Sequence, residues 1–357
     1  MTEIASSLKE LSEAIGVSGK EEAVRAIVLK AIENRTEDIR IDPLGSVTAL
    51  LKARKPATAA PLRVMIAAHM DEVGFMVMGF DGDGLIRFSA VGGIDDRILP
   101  GMRVKIGDNG VQGVIISTPI HKNRDQNVIK INTLRIDIGA SNKDEAAGKV
   151  KRGDRIAFDS RYLEVSDTVL RGKSFDDRVG CSLLIDLLSD ETGYPVDVLA
   201  AFTVQEEIGV RGAQVAAQTL KPDLAIVLEG TTANDIPNPM IEADEGSEPN
   251  PTCIFGGGPV VSVIDRSMIV NPLLFAFVRD TAVRENIPYQ IKSYLGGGTD
   301  GGAIHIANGG IPTAVISMPC RYIHSPSAYL HKGDYENGLK LVKAVLNGLT
   351  RDFYQSL

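Results

Sequence analysis

An α/β fold, with a mostly parallel sheet covered on both faces and a small β-rich domain inserted into it, is predicted by this 357-residue sequence. Three observations carry the prediction. From residue 171 onward, apolar strand-like runs alternate with stretches of helical periodicity, the pattern of crossover units. Residues 63–71 (RVMIAAHMD) form a nearly unbroken apolar run, as a strand buried on both faces requires. From about residue 72 to 170, short alternating strands are separated by Gly, Asp and Asn turns. The length also exceeds what one ordinary core fills. The expected organisation is a discontinuous domain of residues 1–71 and 171–357, with a small barrel-like β domain inserted at 72–170.

Each element follows from its local pattern. Residues 3–34 place Ile4, Leu8, Leu11 and Ile15, then Val24, Ile27, Val28 and Ile32, at helical spacing broken by GVSG, which predicts two helices joined by a turn. DIRIDPLGSVTALLKA alternates around a Pro-Leu-Gly turn and predicts a hairpin leading into the sheet. In the insertion, GFMVMGF, LIRFSAV, MRVKIG, GVQGVIIS and DRIAFD read as strands, with little helical periodicity between them. Beyond 171 come helix DRVGCSLLIDLLSD, strand VDVLAAFTV, helix VRGAQVAAQTL and strand DLAIVLEG. Helix NPLLFAFVRDTAVREN, strand PTAVISMP and the closing helix DYENGLKLVKAVLNGLTRDFY complete the series.

Composition narrows the function. With 38 Lys plus Arg against 46 Asp plus Glu, the net charge is −8, and no basic block offers a nucleic-acid footprint. The N-terminal MTEIASSLKELSEAIG lacks the cationic start and apolar core of a signal peptide, and no run is long and apolar enough to span a bilayer, so a cytoplasmic protein is expected. Cys181, Cys253 and Cys320 are far apart and form no C-x-x-C, which argues against a disulfide framework or a thiolate zinc site.

The informative regularity is where polar residues fall. VMIAA runs into His69 and Asp71, LAAFTV into Glu206 and Glu207, LAIVL into Glu229, and TAVISM is followed by His324. Metal-ligand types thus emerge at the C-terminal ends of apolar strands, the edge where open α/β sheets place their sites. Asp176 and Asp177 precede a helix, where a carboxylate ordinarily caps free amides. Two histidines with several carboxylates and no cysteine suit zinc, manganese or cobalt in a site open to water. Two divalent ions would be balanced by Asp176, Glu207, Glu229 and a bridging hydroxide. Glu206 and Glu207, as neighbours on an extended segment, point to opposite sides, so a ligand beside a proton acceptor is the natural division. Asp71 shares a strand face with His69 and can orient its imidazole. His121, His305 and His331 read as surface or satisfied histidines, and Glu72, Asp95 and Asp96 as turn or surface acids. GGGTDGG lacks the Lys-Ser/Thr ending of a phosphate loop, and its glycines instead admit close approach of substrate. No G-x-S-x-G elbow is present.

These motifs, in order AAHMDEVGFMV, GGIDDRILPGMRV, KSFDDRVG, TVQEEIGVRGA, GGGTDGGAI and PCRYIHSP, resemble those of the cytosolic di-metal aminopeptidases of the tetrahedral (TET) type, over essentially the whole chain. That family includes glutamyl aminopeptidases and proteins once labelled cellulase M. The resemblance implies a three-layer α/β/α zinc-peptidase domain with an inserted β domain used for dimerisation, and assembly into hollow tetrahedral dodecamers. It implies that His69 and Glu229 hold one ion, Glu207 and His324 the other, that Asp176 bridges them, that Glu206 is the general base and that Asp71 is the orienting acid. Two positions depart from the family pattern: Glu229, where Asp is commoner, and GGI, where the family has GGW. The implied activity is removal of N-terminal residues from short peptides by a metal-bridging water. A carboxypeptidase or deacylase would share the ligands, and a glycoside hydrolase would leave the histidines unexplained.

Overall fold

The structure is a computed structural model that describes residues 6–54, 60–117, 128–236, 253–293 and 296–357. Helices α1 (Ser6–Glu13) and α2 (Glu22–Ile32) flank the 16–21 loop, and α2 buries Val24, Val28 and Ile32, one stripe at four-residue spacing. Strands β1 (Glu37–Ile41) and β2 (Val47–Leu51) form the expected hairpin and lead to β3 (Arg63–His69). The insertion follows: β4 (Gly74–Phe80), β5 (Ile86–Val91), β6 (Arg103–Ile106), β7 (Val111–Ile116), β8 (Arg135–Asp137), helix α3 (Lys143–Lys149) and β9 (Arg155–Phe158). Its strands close into a barrel in the order β4-β5-β8-β7-β6-β9. The barrel is filled by alternating apolar residues, with Phe75 packed edge-on against Phe88 and Phe158.

The chain then returns through β10 (Leu163–Glu164), β11 (Val169–Gly172), α4 (Phe175–Leu188), β12 (Asp197–Thr203), α5 (Arg211–Leu220), β13 (Leu224–Thr232) and β14 (Val260–Ile264). Helix α6 (Pro272–Arg284), β15 (Gln290–Ser293), α7 (Gly301–Ile304), β16 (Thr313–Arg321), β17 (Ala328–His331), α8 (Lys332–Gly348) and α9 (Arg351–Gln355) complete it. The main sheet runs β1-β2-β12-β3-β13-β16-β17-β11-β10, with β14 and β15 branching from β16. Its centre, β12-β3-β13-β16, is parallel, as helical crossovers require, whereas both flanks are antiparallel, so the sheet as a whole is mixed. Strand β10 lies inside the 72–170 segment read as one β domain and β11 straddles its end, yet both belong to the main sheet.

Residue parity divides the sheet into two faces. Val64, Ile66 and Ala68, with Leu224, Ile226 and Leu228, join the larger core under α1, α2, α4, α6 and α8. Met65 and Ala67, with Ala225 and Val227, join the smaller core under α5 and α7. The result is three layers. The same parity assigns His69, Thr203, Glu229, Thr231 and Ser317 to the α5/α7 face, toward the edge where the parallel strands end. Among the described residues no helix is long and apolar enough to cross a membrane.

Candidate metal centre

His69 closes β3, and Glu229 lies inside β13 rather than at its end, because that strand continues to Thr232. Asp176 comes from the first turn of α4, where Asp176 and Asp177 have non-helical φ/ψ. Gly230 admits it: a Cβ there would stand 2.9 Å from Cα of Asp176. Glu206 and Glu207 lie beyond β12 in a loop where Gln205 has φ +58°, and His324, with φ +57°, follows β16. The two glutamates therefore do not continue the strand: left-handed Gln205 precedes both and turns the chain away from β12.

Nε2 of His69 lies 3.1 Å from Asp176 Oδ1, 3.7 Å from Glu229 Oε2 and 3.9 Å from Glu206 Oε2. Nε2 of His324 lies 3.3 Å from Asp176 Oδ2 and 3.2 Å from Glu207 Oε1. Ligand atoms of His69, Asp176 and Glu229, and of Asp176, Glu207 and His324, form two triads, each with its atoms within 4.8 Å of one another. Asp176 belongs to both, one oxygen toward each histidine.

The surrounding residues lock this arrangement. Asp71 is fully buried; its Oδ1 accepts from the Glu206 amide at 2.9 Å and its Oδ2 from the Glu207 amide at 3.2 Å. Nδ1 of His69 stands 3.2 Å from the Asp71 carbonyl and 3.4 Å from its carboxylate, so Asp71 addresses the ring with both groups. Asp177 accepts from the Gly180 amide at 3.0 Å and the His69 amide at 3.1 Å, so the capping role expected for this pair falls to Asp177 while Asp176 enters the site.

Glu72 is not the surface acid that its sequence context indicated. It is 2 % exposed, and its Oε1 accepts from Lys173 Nζ at 2.7 Å and faces Arg178 at 3.4 Å. Burial pulls Lys173 down to about 8 even so. Asp95 and Asp96 are paired at the surface with Arg97 and Lys130. His305 is satisfied by the Gly301 carbonyl and His331 caps α8, whereas His121 lies outside the described residues.

Electrostatically the centre suits cations. Burial, reinforced by neighbouring carboxylates, raises Glu206, Glu207 and Glu229 above the usual carboxylate range. Burial opposes protonation of His324, yet the Asp176 and Glu207 carboxylates outweigh it and push the ring up to about 11. Such a cluster is stable only when protons or metal ions offset its charge. Glu207 Oε1, moreover, is buried without hydrogen-bond geometry to any described partner. An N/O donor set of this kind fits divalent ions of the zinc, cobalt and manganese type.

The centre opens into a cavity of about 2040 Å³ lined on one side by barrel residues such as Ile94 and Arg97 and on the other by Thr231, Ser262, Lys292 and Ser317. Nζ of Lys292 donates to Thr231 Oγ1 at 2.6 Å and, among the described residues, has no carboxylate partner. Arg97 is held by Asp95. Two groups escaped the sequence reading. Lys292 carries no local signal. Asp300, in GGGTDGG, is fully buried; its Oδ2 accepts from Thr203 and its Oδ1 has no described partner. A lone carboxylate among glycines was the available clue.

The M42 glutamyl aminopeptidase family profile matches residues 45–341. A lysyl aminopeptidase of Pyrococcus furiosus is 32% identical, over 96% of this chain and 96% of its own length. The TET aminopeptidase from the marine sediment archaeon Thaumarchaeota archaeon SCGC AB-539-E09 superposes with a TM-score of 0.91 at 36% identity, covering 98% of each chain. The TET1 peptidase of Pyrococcus horikoshii, described as assembling into a tetrahedron or a large octahedral shell, gives 0.84 at 31% identity, covering 97% of this chain and 100% of that one.

Proposed function

The chain belongs to the M42 glutamyl aminopeptidase family, metal-dependent hydrolases, and from that premise we propose that it removes acidic N-terminal residues from short peptides at a two-metal centre. The observation that carries the two-ion reading is the sharing of Asp176 between the triads. In this reading His69 and Glu229 hold one ion, Glu207 and His324 the other, and Asp176 bridges them. Divalent ions bound there supply a nucleophilic water at neutral pH and polarise the scissile carbonyl. Glu206 belongs to neither triad and its carboxylate borders the cavity, so it takes the proton from the attacking water and passes it to the leaving amine. Asp71 fixes the loop that carries Glu206 through the two amides it accepts.

The substrate class follows from Lys292. Glu229 and Thr231 share a face of β13 about 7 Å apart, and Lys292 is tied to Thr231. An ammonium among hydroxyls, one side-chain step from the reacting carbonyl, favours a carboxylate side chain on the N-terminal residue. The same proposal includes a cytoplasmic location, zinc or cobalt as the preferred ions with manganese also accepted, and pairing of chains through the inserted barrel into a closed shell. Glutamyl, leucyl and lysyl chromogenic amides, each with and without N-acetylation, test it. We expect kcat/KM to rank glutamyl first, to fall with acetylation, and to lose the glutamyl preference in Lys292→Met. A lysyl preference in the unaltered enzyme refutes the role of Lys292.

A further inference from the structure

The loop at residues 16–21 has no part in the site as described, yet it delivers Ser18 to the centre. Ser18 is fully buried and its hydroxyl donates to Asp71 Oδ2 at 2.6 Å. Asp71 accepts the amides of both Glu206 and Glu207, so Ser18 is the described side chain from outside the catalytic strand ends that holds the carboxylate organising them. The loop is clamped from two sides. Its backbone pairs with Glu72, through Glu72 N to Gly16 O at 3.0 Å and a parallel bridge from Val17. From the barrel, Nε of Arg155 on β9 donates to the Ser18 carbonyl at 2.9 Å. Close packing leaves the loop no slack: a Cβ on Gly74 of β4 would meet Val17 Cγ2 at 2.5 Å.

We propose that Ser18 is a positioning residue, acting through Asp71 on Glu206, and that Arg155 makes the inserted barrel part of its support. The inference rests on the reading of Glu206 as the base. Without the Ser18 hydroxyl, a buried carboxylate oxygen loses a short charged hydrogen bond, and Asp71 is free to rotate away from the Glu206 and Glu207 amides. The loss falls on orientation of the base rather than on substrate binding.

The test compares Ser18→Ala, Ser18→Thr and Arg155→Met in the full-length protein. Two readouts are used: steady-state kinetics with metal content, and amide hydrogen exchange at Glu206 and Glu207 in chelated protein. In Ser18→Ala we expect kcat to fall about 10-fold with KM within about twofold, unchanged metal content and faster exchange at both amides. Ser18→Thr, which keeps a hydroxyl, should restore protection and most of kcat, and Arg155→Met should show the same pattern at smaller amplitude. Exchange in Ser18→Ala equal to that of the unaltered protein overturns the proposal, whatever the activity. Faster exchange with unchanged kcat on an active enzyme overturns the positioning role of Ser18 and leaves the reading of Glu206 to the Glu206→Gln variant.

Discussion

Replacing Glu206 and Glu207 one at a time by Gln exposes the division of labour between two adjacent, chemically identical residues. Glu206 stands 3.9 Å from His69 Nε2 and outside both triads, so an isosteric amide leaves the metal-holding set of Asp176, Glu207, Glu229 and the two histidines intact. What it removes is the proton acceptor, worth about 10²–10⁴-fold in turnover, or about 3–5 kcal/mol of activation free energy. Glu207 stands 3.2 Å from His324 Nε2, and its amide removes one of the three negative charges set against two divalent ions. Affinity for one ion should then fall by at least about 10–100-fold, the loss seen even for groups one step removed from a metal. The assay measures metal per subunit by plasma mass spectrometry beside kcat, with and without excess metal. Glu206→Gln should keep its metal and lose turnover; Glu207→Gln should lose metal and regain part of its activity in excess metal. The opposite pattern would show the roles reversed, and two variants with normal metal and turnover would place the site elsewhere.

Three further outcomes are expected. Prolonged chelation should abolish peptide hydrolysis and added cobalt, zinc or manganese restore it; full activity in a verified metal-free sample would sink the mechanism. Glu229→Gln should deplete one ion per subunit while the other remains, and retention of both at unchanged affinity would remove Glu229 from the centre. The buried Glu72 cluster should govern acid stability. Burial alone would push Glu72 up, but Lys173 and Arg178 hold it below its ordinary value of 4.5. Its contribution is therefore fully present above about pH 4.5 and lost as pH falls through the lower folded-state value. Lys173→Met should destabilise by about 3 kcal/mol near neutrality, and Glu72→Gln should flatten the fall of the denaturant midpoint below about pH 4.5. Parallel midpoint curves for the two proteins would refute the assignment.

The residues themselves offered a candidate donor set and an address for it. Apolar runs that end in His69 and enclose Glu229 read as covered strands of one sheet, whereas the face each residue takes follows from how its neighbours pack against the two cores. The alternation of strand and helix likewise fixed a parallel centre, and the change of texture after residue 72 marked the barrel. What only the tertiary structure decided is which groups meet across long sequence separations. Glu72 looked like a turn acid because its partners, Lys173 and Arg178, lie 101 and 106 residues away. Ser18 meets Asp71 across 53 residues, Asp300 meets Thr203 across 97, and Lys292 meets Thr231 across 61. Left-handed backbone at Gln205 and His324, two residues with side chains and no local signal for that conformation, aims the glutamate loop and the second histidine. Such a conformation is held by packing and hydrogen bonds from the rest of the fold, at the glutamate loop through the two amides that Asp71 accepts, and a linear pattern of residue types does not encode it.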